Sequence, residues 1–239
     1  MKFAWLKTIP LIWFIYQGSW LPSANAQSDL IQDLQNWDMV TVKTAFGPGK
    51  RFLGYMEAQS RVGNLDNSGS QKDDFSALLI RPALGYQINK RVSVWQGYAW
   101  TPTFQPRSIN ENRIFQQVQV ESNPKKFKLT NRTRLEERWI KGTHGTSVRL
   151  RDMVRAAYPI GKSERWSMVG YNELFVNLNS VDNGPSSGID QNRAFIGINH
   201  KWNQHVNAEA GYLNQWLIKK DPVADHMNHV IMLTLNFNL

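Results

Sequence analysis

The sequence predicts an all-β chain folded as a single antiparallel transmembrane β-barrel of about 12 strands, with about 10 as the other count the pattern allows. Three observations carry that prediction. From Trp37 onward, segments of period two alternate with clusters of turn residues, the spacing of side chains that point by turns to the two faces of a sheet. The connections alternate short and long, which is the layout of a barrel with short periplasmic turns and longer extracellular loops. The last segment, 229–239, sets Ile231, Leu233, Leu235, Phe237 and Leu239 on one face and Met232, Thr234, Asn236 and Asn238 on the other. A closing strand that turns one face to lipid has this pattern.

Taken in order, Lys2 and Lys7 precede an apolar run over 9–21, and Ala24-Asn25-Ala26 follows it. These are the three regions of a secretory signal peptide, so a cleaved leader is expected at 1–26 with a mature start at Gln27. The run is too short for a spanning helix, which needs roughly 20 apolar residues. Residues 27–36 form an N-terminal extension, read as an extra strand or a plug, and 37–239 form the outer-membrane barrel. Strands are expected at 37–46, 51–62, 75–88, 91–101, 112–121, 126–139, 147–159, 165–178, 191–200, 205–217 and 229–239. Each is near or above the roughly 9–11 residues with which a tilted strand crosses a bilayer. Short turns centre on Asn89-Lys90, Asn123-Pro124, Gly161-Lys162-Ser163 and Trp202-Asn203, and long polar loops cover 63–74, 102–111, 179–190 and 218–228. The segments number eleven, whereas bacterial single-chain barrels have an even number. Either 27–36 holds a twelfth strand, the favoured count, or 37–46 stands outside the wall and ten remain.

Composition narrows the partners. The chain has 28 Lys and Arg against 19 Asp and Glu, a formal charge of +9 that falls to +7 once Lys2 and Lys7 leave. A pI near 9.8 is often the mark of a nucleic-acid binder, but an export leader argues against nucleic acid here. With no cysteine, the chain is not a small disulfide-stapled secreted domain. The mean hydropathy of −0.46 is low, and no second apolar run could form a spanning helix.

Tyrosine follows glycine at Gly54-Tyr55, Gly85-Tyr86, Gly97-Tyr98, Gly170-Tyr171 and Gly211-Tyr212. Glycine lets a strand bend and a neighbouring ring can cover it, so these pairs point to a strongly curved sheet. Trp37, Trp100, Trp139, Trp166, Trp202 and Trp216 lie near strand ends, where amphipathic rings form the aromatic girdles of a membrane barrel.

The charges keep to one strand face, and with lipid outside that face must line the lumen. In 126–139 the even positions are Lys128, Arg132, Arg134, Glu136 and Arg138; in 147–159 the odd positions include Arg149, Arg151 and Arg155, with Asp152 the exception. A hairpin turning about Thr143 sets Arg138 against Arg149, Glu136 against Arg151 and Arg132 against Arg155. Arg61, Arg81 and Arg193 add further basic groups, and Glu57, Glu121, Glu173 and Glu209 acidic ones. Ten basic residues therefore meet five acidic ones, and the lumen is basic. Two readings compete. The charges either form a closed salt-bridge network filling a narrow barrel, or the excess arginines make a track for small anionic solutes such as carboxylates, phosphates or acidic sugars. Ten strands favour the first and twelve or more permit the second.

Catalytic chemistry is hard to find. There is no Gly-x-Ser-x-Gly elbow, Ser147 with His144 lacks a third orienting group, and Asp225, His226 and His229 read as a solvated loop ahead of a metal site. No catalytic residue, metal or cofactor is named. The expected partners are outer-membrane lipids, the outer-membrane assembly machinery during biogenesis, and small anionic solutes. The closing strand resembles the terminal signal that this machinery recognises, with Leu239 where Phe or Trp is usual.

Gly54-Tyr55-x-Glu57-x-Gln59-x-Arg61, Arg81-Pro82-x-Leu84-Gly85-Tyr86, Trp95-x-Gly97-Tyr98-x-Trp100, Asn131-Arg132-x-Arg134-x-Glu136-x-Arg138, Tyr171-x-Glu173, Asn192-Arg193 and Glu209-x-Gly211-Tyr212 together resemble a bacterial family catalogued as domain of unknown function 2490. The resemblance covers nearly the whole mature chain and implies an outer-membrane β-barrel without an established activity. The expected function is a porin-like narrow pore for small anionic solutes in a Gram-negative envelope. The alternatives are a closed structural or surface-interaction barrel with a salt-bridged interior, and a lipid-modifying enzyme at the membrane rim.

Overall fold

Period-two sequence becomes strand along nearly all of the chain. The structure, a computed structural model, describes residues 30–63, 74–104, 108–124, 126–163, 165–219 and 224–239. The expected leader at 1–26 and most of the expected loop at 63–74 lie outside the described residues. The strands are β1 (Ile31–Phe46), β2 (Phe52–Gly63), β3 (Asp74–Gln87), β4 (Val92–Thr103), β5 (Ile109–Ser122), β6 (Lys128–Ile140), β7 (Ser147–Ile160), β8 (Trp166–Asn177), β9 (Gly188–Lys201), β10 (Val206–Leu217) and β11 (His226–Asn238). Each pairs with its sequence neighbours, and β1 meets β11 to close the sheet into a barrel.

Eleven strands close because the seam is parallel. Consecutive strands run antiparallel, so in an odd-stranded barrel the first and last must point the same way. Ile31 sits opposite His226, and the register holds to Lys43 opposite Asn238. The tension between eleven segments and an even count is thereby resolved without a twelfth strand. Residues 31–36 are neither a plug nor a separate element; they extend the first strand, pairing with 226–231 of β11.

The connections divide by end. β1, β3, β5, β7 and β9 finish at the end where β11 finishes and are followed by connections of four or five residues; β2, β4, β6, β8 and β10 finish at the other end and are followed by connections of five to ten. The loop expected at 102–111 is shorter, because β4 runs on to Thr103 and β5 starts at Ile109. Asparagine shapes two of the short turns. Asn89 Oδ1 accepts from the amides of Arg91 and Val92 at 2.8 and 3.0 Å, and Asn203 Oδ1 from those of His205 and Val206 at 2.8 and 2.9 Å.

Strong curvature is managed by glycine and cross-strand rings. A Cβ on Gly85 would lie 2.5 Å from the Trp95 ring, and one on Gly97 would lie 2.2 Å from Phe115. Trp95 is the register partner of Gly85 and Phe115 that of Gly97. The covering ring thus comes from the next strand, not from the tyrosine that follows in sequence.

Candidate functional site: the charged lumen

Alternation sends one side chain in two into the barrel, and the inward charges concentrate on β5, β6 and β7, with others on β2, β3 and β8. Glu57, Arg81, Arg113, Arg134, Glu136, Arg138, Arg149, Arg151, Glu173 and Glu209 are all buried. The wall made by β1 and β8 to β11 is different. There Trp37, Val169, Phe195, Leu213, Val230 and Met232 form an apolar cluster, with Met39, Ala157 and Tyr171 packed against it. Trp37, expected in a girdle, is one of its members and is only 2 % exposed. Its position in β1 is odd-numbered like Gln35 and Thr41, which also point inward, so alternation overrides its expected place near a strand end.

The arginines find acids on several strands. Register places Glu136 opposite Arg149 and Arg134 opposite Arg151, two residues away from the hairpin pairing expected about Thr143, and sets Arg138 opposite Ser147. Glu136 accepts from Arg149 Nη2 and Arg151 Nη1, each at 2.7 Å. Arg151 Nη2 also donates to Glu173 at 2.8 Å, as does Arg132 Nη2. Arg81 forks onto Glu57 at 2.9 and 3.0 Å, and Arg155 reaches across to Glu209. Glu121 pairs with Lys128 at 3.3 Å, where both are substantially exposed.

Glu111, Arg113, Asp190 and Lys43 are lumen groups outside the sequence expectation. Glu111 holds both Arg113 and Arg138, and Asp190 accepts from Arg149 at 3.1 Å. Glu111 and Asp190 fall in the loops expected at 102–111 and 179–190; extending the odd-numbered face of Gln117, Gln119 and Glu121 backward through Arg113 reaches the first. Rings spread the remaining charge. The Arg134 guanidinium lies 4.1 Å from the Phe115 ring centre and that of Arg151 4.4 Å from Phe175.

Two cavities flank this network. One of about 640 Å³, on the side where β11 ends, is lined among others by Lys43, Glu57, Arg132, Arg155 and Glu209. The other, of about 610 Å³, lies toward the longer loops and is lined among others by Arg113, Arg138, Arg149 and Asp190. Trp37, Arg61, Arg81, Arg151 and Arg193 line both, so they lie between the two.

Asp152, the exception in sequence, lies on the outer face, where it accepts from Thr133 Oγ1 at 2.7 Å and Asn131 Nδ2 at 3.1 Å. Ser147 is buried opposite Arg138 with no partner for its hydroxyl, while His144 sits in the 141–146 loop with its backbone bridged to Asp182. Nothing among the described residues joins the two. Asp225 accepts from Trp216 Nε1 and the Lys219 amide, and His229 lies between Tyr212 and Gln32. Among the described residues no group of three acidic, cysteine or histidine side chains is placed to hold a metal.

Residues 34–226 match the family described as protein of unknown function DUF2490. An uncharacterized protein of Methylorubrum extorquens is 34 % identical over 218 residues, covering 89 % of this chain and 90 % of that protein. No solved structure matches the chain.

Proposed function

The chain belongs to the protein family of unknown function DUF2490, and from that premise we propose that it is an outer-membrane barrel whose lumen is shut at the waist, with a basic cup on either side of the closure. Its placement in the membrane is supported by inverted burial. Met56, Leu84, Ile196, Ile231 and Leu233 are exposed on the outer face while Glu57, Arg134, Glu136 and Arg151 are buried. A barrel in water has the opposite arrangement. Exposed rings gather near both ends of the strands. Phe52 meets both Phe46 and Tyr86 at one end, and Phe75 stacks on Phe104 at the other. Rings so placed suit the two headgroup levels.

The observation that carries the closed reading is the partition, five large side chains shared by both cavities, of which Arg81 and Arg151 are tied to a network of carboxylates. A through-path would have to separate Arg151 from Glu136 and Glu173, which leaves charges unpaired in a narrow space. The anion pore remains the second reading because the inward arginines outnumber the acids. Planar-bilayer recording on the refolded protein tests both. Silence from barrels shown to be folded is expected; discrete openings with an anion-biased reversal potential would replace the closed reading with the pore.

A further inference from the structure

Arg61 and Arg193 are held differently from the other arginines of the partition. Neither has a carboxylate within salt-bridge distance among the described residues. Each is instead gripped by a glutamine two residues earlier on its own strand. Gln59 Oε1 accepts from Arg61 Nε at 3.0 Å and Nη2 at 2.9 Å. With its oxygen turned toward the guanidinium, Gln191 accepts from Arg193 Nε at 2.6 Å and Nη2 at 3.0 Å. Arg113 shows the same fork with a carboxylate in it, donating to Glu111 at 2.7 Å from Nε and 2.9 Å from Nη2. The amide orients the guanidinium as the acid does, but it leaves the positive charge uncancelled among the described residues.

The two uncancelled charges are also neighbours. The Arg61 guanidinium carbon is 4.0 Å from the centre of the Trp37 ring and that of Arg193 is 5.0 Å from it. The sum of those distances is the largest separation the two carbons can have, a span that one anion a few atoms across can bridge. Both arginines line both cavities, so a solute reaches them from either side. Trp37 and Phe175 form apolar walls beside them, where a charged hydrogen bond is stronger than in water.

We infer that Arg61 and Arg193, set by Gln59 and Gln191 against Trp37, form a binding site for a small free oxyanion bearing carboxylate or phosphate groups. The site deepens the basic-cup reading and does not depend on whether the barrel conducts. Binding and conduction are read separately, so either can fail without the other.

The test is thermal unfolding of the refolded full chain in detergent, titrated with citrate or inorganic phosphate against chloride at matched ionic strength. A ligand that binds the native state raises the midpoint in a saturable way. Wild type should show that rise with at least one of the two oxyanions. Arg61→Gln and Arg193→Gln should each weaken apparent affinity at least about tenfold, while Lys128→Gln at the mouth should not. Gln59→Glu and Gln191→Glu supply the missing carboxylate from within, so together they should raise the midpoint without ligand and abolish the response. That pair keeps the question open to an answer if an arginine variant does not fold. A wild-type midpoint that follows ionic strength alone, or an equal response in the Gln59→Glu/Gln191→Glu protein, would overturn the assignment.

Discussion

Glu136 is 1 % exposed and is the acid on which the charged wall turns. It receives Arg149 and Arg151 at 2.7 Å, with Arg134 at 3.7 Å. Neutralising one partner of a buried ion pair strands the other charges out of water, at a cost of about 3–5 kcal/mol. Glu136→Gln should lower stability by that amount in urea unfolding of the refolded barrel. Glu121→Gln is the control: its pair with Lys128 is 40 and 55 % exposed at the two side chains, and its loss should cost less than about 1 kcal/mol. Equal losses would mean that water reaches the waist as freely as the mouth.

At the level of the strand, curvature rests on positions where a side chain has been given up. On β4, a methyl at Gly97 would overlap the Phe115 ring at 2.2 and 2.5 Å and approach the Ala83 Cβ at 2.9 Å. Phe115 is 1 % exposed and carries Arg134 on its face, so the ring has little room to yield. Overpacking of this kind costs about 1–3 kcal/mol, and Gly97→Ala should show it by equilibrium unfolding. Adding Phe115→Leu should restore part of the loss; two substitutions that simply add would mean the ring and the glycine are not coupled.

For the molecule as a whole, an odd strand number has a topological consequence. The start of β1 lies beside the start of β11, at the end that carries the longer loops. A short tag inserted before Ile31 and one in the 218–225 loop should therefore be reached by antibody from the same face of the membrane. A tag in the 202–205 turn should be reached only from the other. An even-stranded wall would place the first tag with the third, so labelling of intact against permeabilised cells decides the seam.

Much of this architecture is legible in the chain because the period of a strand is local. Alternation located most walls to within a few residues, and it put Glu57, Arg81, Arg132, Arg134, Glu136, Arg149 and Glu173 on faces that the structure turns inward. A two-residue period says which side a residue takes but not which partner it meets. The partners depend on where each hairpin turns and how the sheet closes. Glu136 meets Arg149 and not the expected Arg151 across the β6–β7 register, yet it reaches Arg151 as well, and Arg155 finds Glu209 three strands away. Trp37 looked like a girdle residue because sequence shows nearness to a strand end, whereas closure against β11 carried β1 further toward the amino terminus and left the indole within the wall. The sequence by itself determined an all-β chain with two chemically distinct faces and short and long connections between its strands. Only the tertiary structure decided the eleven-strand parallel seam, the side chains that stand between the two cavities, and the two arginines that meet no acid among the described residues, because each depends on contacts between residues far apart in the chain.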